Sequence, residues 1–179
     1  MTKFLAICSI FALTLVSVSA HADEFPNKQT WGVVSSLQGK WQGEGSGFGQ
    51  KSQVQHKWEF VLDKKFIRLK TISVGTNAQG QSEQHEDVGY ISWSESEGVL
   101  RFHQFLSEGF VNTFIVKATE LPEVGIDFIP ENTEGMPTLN VGMTLRFISD
   151  TSYEMVLAMG KKGSELKACQ SMKMTKVSD

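Results

Sequence analysis

Cysteine is nearly absent, with only Cys8 and Cys169 in 179 residues. Cys8 lies in a segment expected to be cut away, so the mature chain has no partner for an internal disulfide. Every zinc pattern built on paired cysteines is excluded as well. Positive charge is not in excess: 17 basic residues face 20 acidic ones, a formal charge of −3. No basic footprint for nucleic acid results. No Ser-His-Asp order, Gly-x-Ser-x-Gly elbow, phosphate loop or closely spaced carboxylate pair occurs. After Lys40 there is no long helical periodicity and no second hydrophobic run long enough to cross a bilayer.

What is present begins with Lys3, followed by an almost wholly apolar stretch from Phe4 to Val18 and then small residues. This is the pattern of a secretory signal, with Ala20-His21-Ala22 as the cleavage site, Ala22 as the expected last residue removed and Ala20 as the near alternative. The mature chain is then expected to be soluble, periplasmic or secreted. Loss of Lys3 leaves 16 bases against 20 acids. About 157 residues suffice for one domain. Residues 23–38 form an N-terminal segment in which Trp31, Val34 and Leu37 at helical spacing predict a short helix over Pro26–Leu37, and 39–179 form the domain itself.

From Lys40 the chain alternates short β-rich segments with turn chemistry. In Val54-x-His56-x-Trp58-x-Phe60-x-Leu62 the large residues alternate with Gln55, Lys57 and Glu59, so one face is buried and the other wet. Further strands are expected at 40–46, 66–74, 85–93, 99–106, 110–117, 124–129, 138–148, 152–159 and 165–176. Nearly all are joined by tight turns such as Asp63-Lys64-Lys65, Ser107-Glu108-Gly109 and Gly160-Lys161-Lys162-Gly163. Pro130–Pro137, with two prolines and a glycine, reads as the one longer loop. About ten sequential antiparallel strands, each with an apolar face, predict an all-β, up-and-down barrel. The inward face of 66–74 and of 99–106 stays open, because both carry large residues on each side.

Two motifs carry a resemblance. Gly39-Lys40-Trp41-Gln42-Gly43-Glu44-Gly45-Ser46-Gly47 resembles the opening strand of calycin (lipocalin-like) barrels, where the indole closes the base and the glycines let another backbone approach. His85-Glu86-Asp87-Val88-Gly89-Tyr90-Ile91 is similar to the His-x-Glu-x-Gly-aromatic strand of the nitrobindin-like barrels, with the acid here directly after the histidine. That resemblance implies a ten-stranded barrel and, for some members, haem held by a histidine on the last strands. No histidine follows His103, so haem is not the expected cofactor. Met172 or Met174 would be a poor substitute ligand.

The candidate residues are therefore those of a binding pocket. His56 shares a strand face with Trp58 and Phe60, and His103 with Arg101, so both histidines are candidates to point inward. A histidine on an apolar face is more often a hydrogen-bonded core residue. All mature-chain methionines lie between Met136 and Met174, and Met155 and Met172 are expected in an adaptable thioether wall or in ordinary core. Arg68, Arg101 and Arg146 would grip a ligand carboxylate if inward, though an outward, solvated arginine is the commoner arrangement. Cys169 reads as an inert thiol.

The expected ligand-binding set is Trp58, Phe60, His56, Arg101, His103, Met155 and Met172, around a small hydrophobic or amphipathic molecule. The alternatives are a small barrel enzyme using His56 or His103 in acid–base chemistry and a cell-envelope interaction module using an exposed strand or the loop 130–137.

Overall fold

The computed structural model describes residues 28–77, 79–119 and 124–178. The expected signal peptide and its cleavage near Ala22 lie outside them. Among the described residues one helix, α1 (Lys28–Ser35), precedes ten strands: β1 (Gly39–Gly47), β2 (Gln50–Val61), β3 (Phe66–Thr76), β4 (Ser82–Ser94), β5 (Val99–Leu106), β6 (Val111–Thr119), β7 (Gly125–Glu134), β8 (Leu139–Ser149), β9 (Ser152–Lys161) and β10 (Lys167–Val177). Among the described residues no helix is long and apolar enough to cross a membrane.

Each strand pairs with its sequence neighbours, and β1 also pairs antiparallel with β10, from Lys40 opposite Val177 to Gly47 opposite Gln170. The sheet is thus a closed up-and-down barrel, in which β7 and β8 pair only as far as Phe128 and Met143. The glycines of β1 make this seam possible. A Cβ added at Gly43 would stand 1.8 Å from the Lys173 carbonyl oxygen of β10, closer than any side chain permits.

One end of the barrel is packed solid. Trp41, Trp58, Phe102, Phe114, Phe128 and Tyr153 are all buried there, with ring centroids 4.7 Å apart for Trp41 and Tyr153 and 5.3 Å for Phe102 and Phe128. Val34 and Leu37, fully buried, bring α1 and the residues after it onto this end. The Trp41 indole N–H donates to the Leu37 carbonyl at 2.7 Å, so the opening-strand tryptophan does close the base. Trp31 of α1 packs on Phe60 at 6.2 Å.

The expected loop at 130–137 is corrected. β7 runs on through Pro130 to Glu134, and only the residues just after it turn. Pro130 fits because the β7–β8 ladder stops at Phe128 opposite Met143, so the proline displaces no ladder donor on that side. Glu131 is bulged out against β6, between Phe114↔Pro130 and Thr113↔Asn132.

Candidate functional site

Beyond the aromatic plug the barrel is hollow. A cavity of about 330 Å³ opens between the β1–β2, β5–β6 and β7–β8 turns and extends inward to His56. Its volume lies at the lower end of the ~300–1,000 Å³ typical of small-molecule sites. Alternation along each strand decides which residues reach it. Successive inward positions run from the plug toward the mouth, so a residue two places beyond a plug aromatic lines the cavity.

The apolar wall comes mainly from β8, β9 and β10. Met155 and Met172 face each other across the β9–β10 ladder. Met143 lies opposite Leu157, and Met159 opposite Val141, and all six line the cavity with Met136 at the rim. Met174 belongs to the plug, opposite Tyr153 and 1% exposed. Unbranched thioethers fill irregular space and adapt to different occupants.

His56 forms part of the floor. Its Nδ1 stands 2.6 Å from the Tyr153 hydroxyl, which also accepts the Trp58 indole N–H at 3.4 Å. Burial pulls the His56 pKa down to about 4, so the ring is neutral at neutral pH. The Tyr153 hydroxyl is pushed up by the same burial and does not ionise in any ordinary range.

A polar chain climbs the opposite wall on β4, β5 and β6. Asn112 Nδ2 donates to Gln104 Oε1 at 3.3 Å, and Gln104 Nε2 donates to Asp87 Oδ2 at 3.2 Å. The other oxygen of Asp87 lies 2.8 Å from His85 Nε2, and His85 Nδ1 lies 2.5 Å from Glu108 Oε1 at the mouth. The hydrogen bond to Asp87 and its charge, then the charge of Glu108 and the hydrogen bond to it, raise the His85 pKa to about 9 against the effect of burial, so the imidazole is a cation shared by two carboxylates. His85, Asp87 and Glu108 also form a group able to hold a metal, with ligand atoms within 4.8 Å of one another. Each ring nitrogen already faces its own carboxylate, so an ion would have to displace that cation.

Of the sequence-derived set, the structure brings His56, Met155 and Met172 to the cavity. Trp58 points inward but belongs to the plug, and Phe60 packs beneath α1. The inward expectation for Arg101 and His103 is corrected: Leu100, Phe102 and Gln104 occupy the inner face of β5, leaving both on the outer face. Arg101 there makes paired hydrogen bonds to Glu131 of β7 at 2.8 and 2.9 Å and an ion pair with Glu97. Arg68 pairs with Glu59, and Arg146 with Asp127 at 2.6 Å, so all three strand arginines meet acids of this chain.

Sequence reasoning did not select Asp87, Gln104 and Asn112 for the site. The available signal was parity: Gln104 lies two residues after Phe102, Asn112 two before Phe114, and Asp87 two before Gly89, all on inner-face positions.

No protein-family model and no curated protein matches the sequence. Among solved structures, Rv2717c from M. tuberculosis superposes with a TM-score of 0.62 at 13% identity, over 84% of this chain and 98% of its own. The S-type phycobiliprotein lyase CPES from Guillardia theta superposes with a TM-score of 0.50 at 8% identity, over 82% of this chain and 91% of its own. At such identities the likeness is one of fold alone, that of a closed antiparallel β-barrel, here of ten strands.

Proposed function

We propose that this protein is an exported carrier that holds a small hydrophobic or amphipathic molecule in the hollow half of its barrel. One observation carries the reading: a methionine-lined cavity of about 330 Å³ persists in a barrel whose other half is packed solid with aromatics. A barrel built only for its own stability would fill both halves with side chains. The export part rests on the N-terminal signal pattern; cell fractionation and N-terminal sequencing should place the protein outside the cytoplasm, beginning at Asp23.

The nitrobindin-like resemblance raises haem as a possible occupant, and the residues present do not fit it. No histidine follows His103, β9 and β10 offer the cavity thioethers and Gln170, and His56 is engaged with Tyr153. An acid–base enzyme is the weaker reading. His103 faces outward, and a His56 pKa near 4 makes a feeble base at neutral pH.

The test is uptake of a neutral, environment-sensitive apolar dye such as N-phenyl-1-naphthylamine by delipidated protein. Saturable binding is expected, and Met172→Trp, which fills the space between β9 and β10, should weaken it at least tenfold while the fold is kept. A dye that does not bind the delipidated wild type removes the carrier reading.

A further inference from the structure

We infer that the molecule carried here has a hydrogen-bond-donating polar end, a hydroxyl or an ammonium, and that a carboxylate is rejected. The inference rests on the carrier reading and assigns the chemistry of its ligand.

Charge is the first argument. Among the described residues no lysine or arginine lines the cavity; its charged residues are Asp87, Glu108 and His85. Two carboxylates against one imidazolium leave the polar wall negative. The arginines that would grip an acid are on the outside, each already paired with Glu59, Glu131 or Asp127. Lys51 does not line the cavity; it stands in the recess that adjoins the mouth, alongside Glu83 and Glu108. A fatty-acid carboxylate brought inside would lose its water and meet Asp87 with no lysine or arginine beside it to replace that hydration.

The hydrogen-bond chain is a second, independent argument, because it has only one possible direction. The Asp87 carboxylate accepts, so the Gln104 amide must present Nε2 to it and turn Oε1 toward Asn112. Asn112 must then donate Nδ2 to that oxygen. The atom left over is therefore Asn112 Oδ1, and it is an acceptor. Asn112 is 3% exposed and lines the cavity, and its Oδ1 has no hydrogen-bond partner; Asp87 Oδ1, the other buried side-chain oxygen without one among the described residues, has its ion pair with His85 instead. An unmatched buried acceptor is destabilising, and a ligand O–H or N–H would satisfy it. A carboxylate has nothing to donate to it.

The experiment displaces N-phenyl-1-naphthylamine from the delipidated full-length mature protein at pH 7.5 and 0.15 M salt with 1-decanol, decylamine and decanoate, each below its aggregation threshold. Decanol and decylamine are expected to displace the dye at concentrations at least tenfold lower than decanoate. Asn112→Leu should lose most of the preference for decanol over decanoate, read as the ratio of the two displacement midpoints within that variant. Decanoate equal to or better than the other two overturns the inference while dye uptake leaves the carrier reading standing; absence of dye uptake by the wild type overturns both. If Asn112→Leu does not fold, the wild-type series decides alone.

Discussion

The His56 imidazole and the Tyr153 hydroxyl, 97 residues apart in the chain, meet at 2.6 Å where the aromatic plug ends and the cavity begins. The bond satisfies two polar groups that the barrel buries, and it turns His56 from a liability into a fixed piece of floor. Tyr153→Phe should therefore cost about 1–3 kcal/mol by leaving the His56 nitrogen unmatched, measured as a lower urea midpoint with an unchanged slope. A change under a few tenths of a kcal/mol would show that the bond is not formed.

His56 also sets the acid side of the stability profile. Its folded pKa, about 4, lies below the unfolded value near 6.5, so the unfolded chain binds the extra proton first. Stability is complete above pH 6.5 and falls as the pH drops toward 4, by up to about 3 kcal/mol across the window. His56→Leu should flatten that limb in a series of urea titrations.

His85 acts with the opposite sign. Its folded pKa is raised to about 9 by Asp87 and Glu108. The stabilisation is complete below pH 6.5 and is lost as the pH rises through 9. Because the side chain is 31% exposed, solvent screens the pair and the alkaline limb should be shallower than the acid one. His85→Gln should remove it. The wild type is then most stable near neutrality, and thermal midpoints measured from pH 4 to 10 check both limbs together.

Close backbone approach predicts a ranking among glycine variants. A Cβ at Gly43 meets the Lys173 carbonyl oxygen at 1.8 Å, whereas one at Gly89 meets the Phe102 ring at 2.1 Å. A ring can shift within its packing; a strand seam cannot move without opening the barrel. Gly89→Ala is expected to cost about 1–3 kcal/mol, as overpacking usually does, and Gly43→Ala more than that. Denaturant midpoints that rank the two variants in reverse would contradict the seam geometry.

The β2–β3 turn is where stability can be added. Leu62, Asp63 and Lys64 hold φ values of 50°, 55° and 64°, a left-handed region costly for residues with a Cβ. Lys64→Gly relieves one such position on the surface, away from the cavity, and should raise stability by roughly 0.5–1 kcal/mol. Dye affinity should stay the same. A loss of stability would mean that the turn prefers another conformation.

Arg101→Ala and His103→Ala test the outward face of β5 directly. Dye affinity should change less than twofold in either, since Gln104 and not its neighbours reaches the cavity. A tenfold loss in either variant would place that side chain inside.

Much of the fold was legible in residue order alone. The alternation in Val54–Phe60, the tight turns and the scarcity of longer connections implied consecutive antiparallel strands, and Trp41 with its spaced glycines implied closure of the base. These are local features: a period of two and a turn residue act within a few positions of themselves. Pro130 misled because a proline in a strand is tolerated only where a neighbour's ladder has already ended, and that neighbour, β8, is set by tertiary pairing.

What only the folded chain decided was parity and volume. Arg101 and Gln104 lie in one strand rich in large residues on both sides, and the choice of inner face depends on β4 and β6, which place Phe102 beside Phe114. Likewise, no single segment reveals whether a barrel is filled. That depends on the summed side-chain volume from ten strands at each level, which here is aromatic at the base and thioether, amide and carboxylate at the mouth. Alternation is written locally in the sequence; an empty interior arises only where ten distant segments meet.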